Sequence, residues 1–307
     1  MRKNVLGRTG LSVTQLGFGA MELRGPKVWH GREVSEEQSE AVLHAVLDAG
    51  INFIDTAPDY GPSEERIGRY ISSRRNEYFL ATKCGCDPKD VGDRWETPHT
   101  WTRNRLMRNI AESLQRMKTD HVDVLQLHNP GAKRVPGGRL VPVPWDELIA
   151  TLQDIRAQGM TRFIGVSHTL PMLDECVVMG AFDTFQIPYS CLEPQHHDAI
   201  TRAADSGAGV IIRGGVARGG PESAVAMQER ADLWQRARLA DVTGDMTPAE
   251  AILRYTLSHP HCHTTIVGTL NPAHLAENLA AAERGPLPKT LYDEIRSRIS
   301  TAMSAAV

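Results

Sequence analysis

The chain has 307 residues, is 41% hydrophobic and 23% charged, and carries a formal net charge of −3. That balance excludes a disordered polar chain and gives no electrostatic reason to expect nucleic acid or an anionic membrane as a partner. No apolar run approaches the roughly 20 residues of a membrane-spanning helix, and the basic start "MRKNVLGRTG" has no apolar segment behind it, so no signal peptide is expected.

In chain order, "VLGRTGLSVTQLG" comes first. Two short apolar pieces flank a glycine-rich turn, which predicts a β-hairpin that closes the bottom of whatever follows. From there the chain alternates. "LGFGAM" leads to "SEEQSEAVLHAVLDAG", where Val42, Leu43, Val46 and Leu47 share one helical face. Ser35 with Gln38 predicts a capping box at its start, and Gly50 a stop. "INFID" leads to "SEERIGRYISS", "YFLATK" to "TWTRNRLMRNIAESLQRM", and "VDVLQLH" to "PWDELIATLQDIRAQG". "RFIGVSH" leads to "PMLDECVVMG", and "TFQIPYS" to "EPQHHDAITRAADSG". "AGVIIRGG" leads to "AVAMQERADLWQRARLA" and "PAEAILRYTLSHP", and "TTIVGT" to "PAHLAENLAAAE". The tail "PLPKTLYDEIRSRIS" reads as an extra helix.

Eight strand-then-helix units in a chain of this length predict an α/β fold of the (α/β)8 TIM-barrel kind, one domain over residues 1–307, with an N-terminal hairpin and an extra C-terminal helix. A doubly wound sheet alternates in the same way. Its nucleotide-binding form wants G-x-G-x-x-G at the first turn, but "GFGAME" has Glu22 where the third glycine belongs, and "GVIIRGGVARGG" fails the spacing too.

In such a barrel the reactive groups sit at the C-terminal strand ends. The second strand ends on Asp55, the third on Lys83 and the fourth on His128, while Tyr60 lies in the loop "TAPDYG" just after Asp55. The set is chemically coherent. A free phenol has a pKa near 10. A neighbouring ammonium, Lys83, is expected to lower it, with Asp55 holding that ammonium charged. Tyr60 then serves as a general acid toward an oxygen that gains charge, and His128 orients that oxygen. Each residue also has a plain structural reading: Asp55 as a cap, Tyr60 as loop packing, Lys83 as a solvated strand end, and His128 as a satisfied histidine.

"NFIDTAPDYGPSEERIG", "ATKCG" and "VDVLQLHNP" resemble the signature regions of the aldo-keto reductase superfamily, as do "LGRTGLSVTQLGFGAM" and "TTIVGTLNPAHLAENLAAAE". The resemblance covers nearly the whole chain. It implies reversible hydride transfer between a nicotinamide cofactor and a carbonyl or alcohol, with Asp55, Tyr60, Lys83 and His128 on the catalytic positions and Tyr60 the proton donor. Ser167, His168 and Gln186 match carboxamide-binding positions, with His168 standing where Asn is usual. Arg213 falls where many members place an aromatic ring. "VARGG" (Val216–Gly220), with Val216 and Gly219, resembles the pyrophosphate loop, Gly214 just before it is another implied cofactor contact, and glycine backbone can approach a phosphate closely. Gly268, Thr269, Leu275, Glu277 and Asn278 match the segment holding the adenosine end. Where NADP-dependent members place a Lys or Arg clamp, this chain has Gly268, Leu270 and His274. The superfamily's habit favours NADP(H) over NAD(H) by a small margin.

Trp29, Trp95 and Trp101 lie in long loops and are expected to wall the substrate pocket, which suits a sugar face or an apolar carbonyl equally. Arg24, Lys27, Lys133, Arg134 and Arg139 make these loops basic, as either a solvated rim or a site for an anionic group. The five cysteines, Cys84, Cys86, Cys176, Cys191 and Cys262, show no disulfide framework, so a reduced cytoplasmic protein is expected. "HPHCH" (residues 259–263) is placed at the barrel's N-terminal side, and no metal site is expected there or elsewhere. Cys84 and Cys86 are expected to pack the pocket wall. Two other readings stand beside the enzyme: a non-catalytic nicotinamide-binding sensor or auxiliary subunit, and an aldolase using Lys83 as a Schiff base. The number of subunits is not readable from this sequence.

Overall fold

A computed structural model describes residues 1–29, 31–134, 140–223 and 227–305. Eight parallel strands close into a barrel in chain order: β1 (Leu16–Gly19), β2 (Phe53–Asp55), β3 (Phe79–Cys84), β4 (Val122–His128), β5 (Thr161–Ser167), β6 (Thr184–Pro188), β7 (Gly209–Arg213) and β8 (Thr264–Val267). Each pairs with the next, and β8 pairs with β1 through Ile266 opposite Gly17. This is the TIM barrel read from the sequence, and all eight predicted strands are present. Helices include α1 (Glu36–Asp48), α2 (Ser63–Tyr70), α3 (Arg103–Met117) and α4 (Trp145–Ala157), each lying between successive strands.

Local sequence explains the boundaries. The Ser35 hydroxyl accepts from Gln38 N at 3.1 Å and the Gln38 amide accepts from Ser35 N at 3.2 Å, the expected capping box on α1. Gly50 takes a left-handed φ of 76° just past its end. The final helix, Lys289–Ser304, is the extra C-terminal one.

Side chains alternate along each strand, and this sorts the barrel interior into layers. Phe53, Ala81, Val124, Ile211 and Ile266 form an apolar lower layer with Leu6, Leu11 and Val13 of the N-terminal hairpin, whose strands are Lys3–Val5 and Ser12–Thr14. The hairpin therefore closes the bottom, as expected. Two residues further along β2, β3 and β4 the same inward face carries Asp55, Lys83 and Gln126. The barrel is thus apolar below and polar at its C-terminal mouth. A larger apolar layer joins the outer strand faces to the helices, including Leu43, Leu80, Leu125, Ile164 and Ile252.

Buried histidines outside the Asp55–Tyr60–Lys83–His128 group are held neutral by packing. Burial pulls His196 down to about 4, with Arg213 adding to the effect. Burial pulls His259 down to about 3, with His197, His261 and Arg296 nearby, while its bond to the His197 carbonyl opposes the shift. Both folded values lie below the ordinary value near 6.5. The unfolded chain therefore binds more protons than the folded one between that value and the folded ones. The stability these two sites contribute is complete above about pH 6.5 and is lost as pH falls toward 3. Unfolding at pH 5 is expected to take up about two protons from these sites. Urea midpoints measured from pH 8 to pH 5, with proton uptake followed by calorimetry in buffers of different ionisation enthalpy, check this.

Candidate active site

The mouth is organised around one ion pair. Lys83 Nζ donates to Asp55 Oδ2 at 2.6 Å and to the Thr56 carbonyl at 2.8 Å. Asp55 Oδ1 accepts from Gln126 Nε2 at 2.9 Å and from Gln186 Nε2 at 2.7 Å. Lys83 is 0% exposed and Asp55 1%. A charge buried this deeply persists only when paired and hydrogen-bonded. Burial pulls the Lys83 pKa down, but the Asp55 carboxylate and the Tyr60 phenol outweigh it, and the ammonium is held above its ordinary value. A Schiff base needs a neutral amine, so this lysine is unsuited to aldolase chemistry.

Tyr60 sits over the pair in a tight turn. Tyr60 N donates to Ala57 O at 3.1 Å and Ser63 N to Tyr60 O at 3.1 Å. The turn needs Gly61, whose φ is 52° and where a Cβ would lie 2.2 Å from Arg24 O. Lys83 Nζ lies 4.9 Å from the centre of the Tyr60 ring. The His128 ring meets Tyr60 edge-on, with centroids 6.2 Å apart. The four predicted groups are therefore together. The expected lowering of the phenol pKa is not what results. Burial drives Tyr60 up to about 12, and Lys83 offsets this only in part, because Asp55 and Asp59 push the other way. At neutral pH the phenol keeps its proton.

Sequence reasoning missed the company His128 keeps. Its Nδ1 lies 3.2 Å from Cys86 Sγ, 3.3 Å from Asp59 Oδ2 and 3.4 Å from His99 Nε2. Burial alone would raise the Asp59 pKa, yet His128, helped by His99 and Lys83, outweighs it and holds the carboxyl at about 2. Asp59 stands beside Tyr60, which was a usable signal. His99 carried none, because it returns to the site only through the small hairpin Lys89–Asp90 with Trp95–Glu96, after which His99 bridges the backbone of Cys86.

Of the three pocket tryptophans, Trp101 adjoins the site, stacked on His99 at 5.3 Å. Gly85 makes room for it, since a Cβ there would lie 1.9 Å from the Trp101 ring. Trp29 is 57% exposed and lies under the Arg218 guanidinium, 4.9 Å away, so it bridges the loops after β1 and β7. Trp95 lies in the small hairpin, where its N–H donates to Lys27 O at 2.9 Å. Among the rim cations, Arg24 pairs with Glu22 at 3.1 Å and Lys27 with Asp90 at 3.3 Å. Lys133 and Arg134 form a short strand, and Arg139 lies outside the described residues.

Across the mouth, Ser167 Oγ donates to Gln186 Oε1 at 3.0 Å. One Gln186 N–H and the Ser167 oxygen lone pairs remain free of those bonds, a donor and an acceptor suited to a carboxamide. His168 is differently placed. Its Nε2 donates to Pro130 O at 2.8 Å and its Nδ1 accepts from Thr169 N at 2.7 Å, so both ring nitrogens are engaged by backbone. Arg213 ends β7 half-buried. After it, Gly214, Ala217, Arg218, Gly219 and Gly220 all have positive φ, a curled backbone that crosses beside Val216. Such a run of left-handed residues forms the concave backbone that suits a phosphate. Gly268 is exposed and Thr269 buried just beyond β8. Asn271 caps helix Pro272–Arg284 by accepting from Ala273 N at 2.9 Å, and that helix carries Leu275 inward with Glu277 exposed and Asn278 half-buried.

Comparison with known proteins agrees with this geometry. The family model "Aldo/keto reductase family" matches residues 15–299. L-galactose dehydrogenase of Arabidopsis thaliana is 30% identical, the match covering 90% of this chain and 86% of that protein. D-threo-aldose 1-dehydrogenase of a Pseudomonas species is 27% identical over 93% of this chain and 94% of that one. Among solved structures, the holo form of an aldo-keto reductase from Bacillus halodurans superposes with a TM-score of 0.80 at 27% identity, covering 98% of this chain and 96% of that one. An eight-stranded barrel with a buried lysine–aspartate pair at its mouth, matched over most of its length by that family model, belongs to the aldo/keto reductase family and is an oxidoreductase.

Proposed function

We propose that the chain catalyses reversible hydride transfer between NAD(P)(H) and a small carbonyl or alcohol, with Tyr60 as general acid in reduction and general base in oxidation. The observation that carries this is the buried Lys83–Asp55 pair set beneath the Tyr60 ring. The bound nicotinamide supplies the hydride. Everything else falls to the chain. Tyr60 presents a protonated phenol at neutral pH, and the fixed ammonium of Lys83 favours the phenolate that remains once the proton has left. His128, with Nδ1 engaged on one side, has Nε2 available to hold the substrate oxygen. Ser167 and Gln186 would orient the carboxamide, residues 214–220 would hold the pyrophosphate, and Gly268, Thr269, Leu275, Glu277 and Asn278 would line the adenosine end. Arg213 would lay its planar guanidinium against the ring in place of an aromatic side chain. The relatives' names make aldoses the first substrate class to test. Five free, buried thiols support a reducing, cytoplasmic setting.

Tyr60→Phe removes the transferable proton and is expected to lower kcat by about 10²–10⁴ while cofactor still binds. Steady-state rates with an aldose panel, alongside cofactor fluorescence titration, measure both. Turnover at the parental rate would end the reading of Tyr60. NADPH is expected to bind more tightly than NADH, but by a narrow margin, because no arginine or lysine stands at residues 268, 270 or 274. Parallel titrations with the two reduced cofactors test that order. Lys83→Met strands the Asp55 carboxylate and is expected to lower stability by about 3–5 kcal/mol. Adding Asp55→Leu to it should recover much of that loss while leaving activity absent, as urea unfolding and rate assays would show.

A further inference from the structure

We propose that Asp59, Cys86, His99 and His128 form a tetrahedral binding site for one zinc-class divalent cation in the wall of the catalytic pocket. Their ligand atoms all lie within 4.8 Å of one another. Three of the separations converge on His128 Nδ1 at 3.2, 3.3 and 3.4 Å, and His99 Nε2 to Asp59 Oδ2 is 3.8 Å. A zinc ion with nitrogen, oxygen and sulfur ligands at about 2.0–2.3 Å has ligand atoms about 3.3–3.8 Å apart at tetrahedral angles. Four of the six separations thus lie close to the tetrahedral range, and the other two, from Cys86 Sγ to Asp59 and His99, lie within 4.8 Å, so closing on an ion asks mainly for a shift of the Cys86 side chain. Two imidazoles and a thiolate beside one carboxylate select zinc, cobalt or related metals over magnesium or calcium, which want oxygen ligands.

Two further observations point to a ligand. Asp59 is buried, yet its Oδ1 has no hydrogen-bond partner among the described residues. A buried carboxylate oxygen left unpaired is costly, and a cation beside it relieves that cost. The ligands are also held in place by their backbone. Cys86 and His99 are bridged, Thr100 N donates to Gly85 O at 2.8 Å, and Asp87 N donates to Pro98 O at 2.8 Å. Trp101 stacked on His99 fixes that ring. The His99 side chain is 25% exposed, which gives the ion a way in.

Charge favours the arrangement. Binding replaces the Cys86 thiol proton, which leaves to solvent. Two anionic ligands then neutralise the dication, so no net positive charge accumulates beside the Lys83 ammonium. Held through Nδ1, His128 carries its hydrogen on Nε2, the nitrogen available to a substrate oxygen. That last consequence rests on the proposed function. Metal binding itself does not, and its test reads a spectrum rather than turnover.

The full-length protein, stripped with a chelator and titrated with Co2+, should bind one ion per chain. It should show tetrahedral visible bands and a thiolate-to-cobalt charge-transfer band in the near ultraviolet, and one equivalent of Zn2+ should abolish both. Cys86→Ser should remove the charge-transfer band, Cys84→Ser should keep it, and His99→Ala should weaken affinity by about 100-fold or more. Circular dichroism of each variant confirms that it is folded. An octahedral spectrum, binding that does not saturate at one equivalent, or a band unchanged in Cys86→Ser would overturn the proposal. The four groups would then be a hydrogen-bonded relay that only positions His128.

Discussion

The mouth of the barrel is built on a lysine closed off from the solvent surface. Lys83 is wholly enclosed, and its ammonium is tolerated because Asp55, the Thr56 carbonyl and the Tyr60 ring surround it. Asp55 in turn is held by amide groups from Gln126 and Gln186, on β4 and β6. Four strands, β2, β3, β4 and β6, are thus tied at one level by one network. The apolar layer just below, with the hairpin residues Leu6, Leu11 and Val13, closes off solvent from beneath. Low dielectric at the pair follows from that closure, and so does the strength of its field at the phenol.

The same burial decides what Tyr60 is. From sequence, a neighbouring ammonium suggested a softened phenol. In the structure desolvation is the larger effect, and the phenol sits near 12. Lys83 works against a cost that the site itself imposes, and it offsets that cost only in part. Under the proposed function, a phenol that stays protonated suits the reductive direction, and the oxidative direction would need its proton drawn off at the moment of transfer.

The barrel and the tetrad were legible because both are periodic. Apolar runs that end on Asp55, Lys83 and His128 mark strand ends, and alternation puts Lys83 two residues above Ala81 on the inward face. The capping box at Ser35 and the stop at Gly50 were equally local. The Cys86–His99 contact was not, because a twelve-residue excursion with its own hairpin lies between them and no spacing rule reports where such a loop returns. The contact that Trp29 makes was illegible for a related reason. Its partner, Arg218, lies on the loop after β7, nearly two hundred residues away, and the contact exists only because barrel closure brings β1 and β8 together.

Asp59 links the two halves of the mouth. It follows the strand that delivers Asp55 and precedes Tyr60, so its carboxylate lies between the lysine pair and the histidine cluster. Its field raises the Tyr60 pKa, helps keep Lys83 charged, and is itself answered mainly by His128. Whatever alters the charge on His128 therefore alters how much of the Asp59 field reaches Tyr60. A site in which Tyr60 and His128 share one carboxylate neighbour cannot tune them independently. A cation drawn into the Asp59–Cys86–His99–His128 cluster would screen that carboxylate from the phenol and fix the His128 hydrogen on Nε2 in a single event.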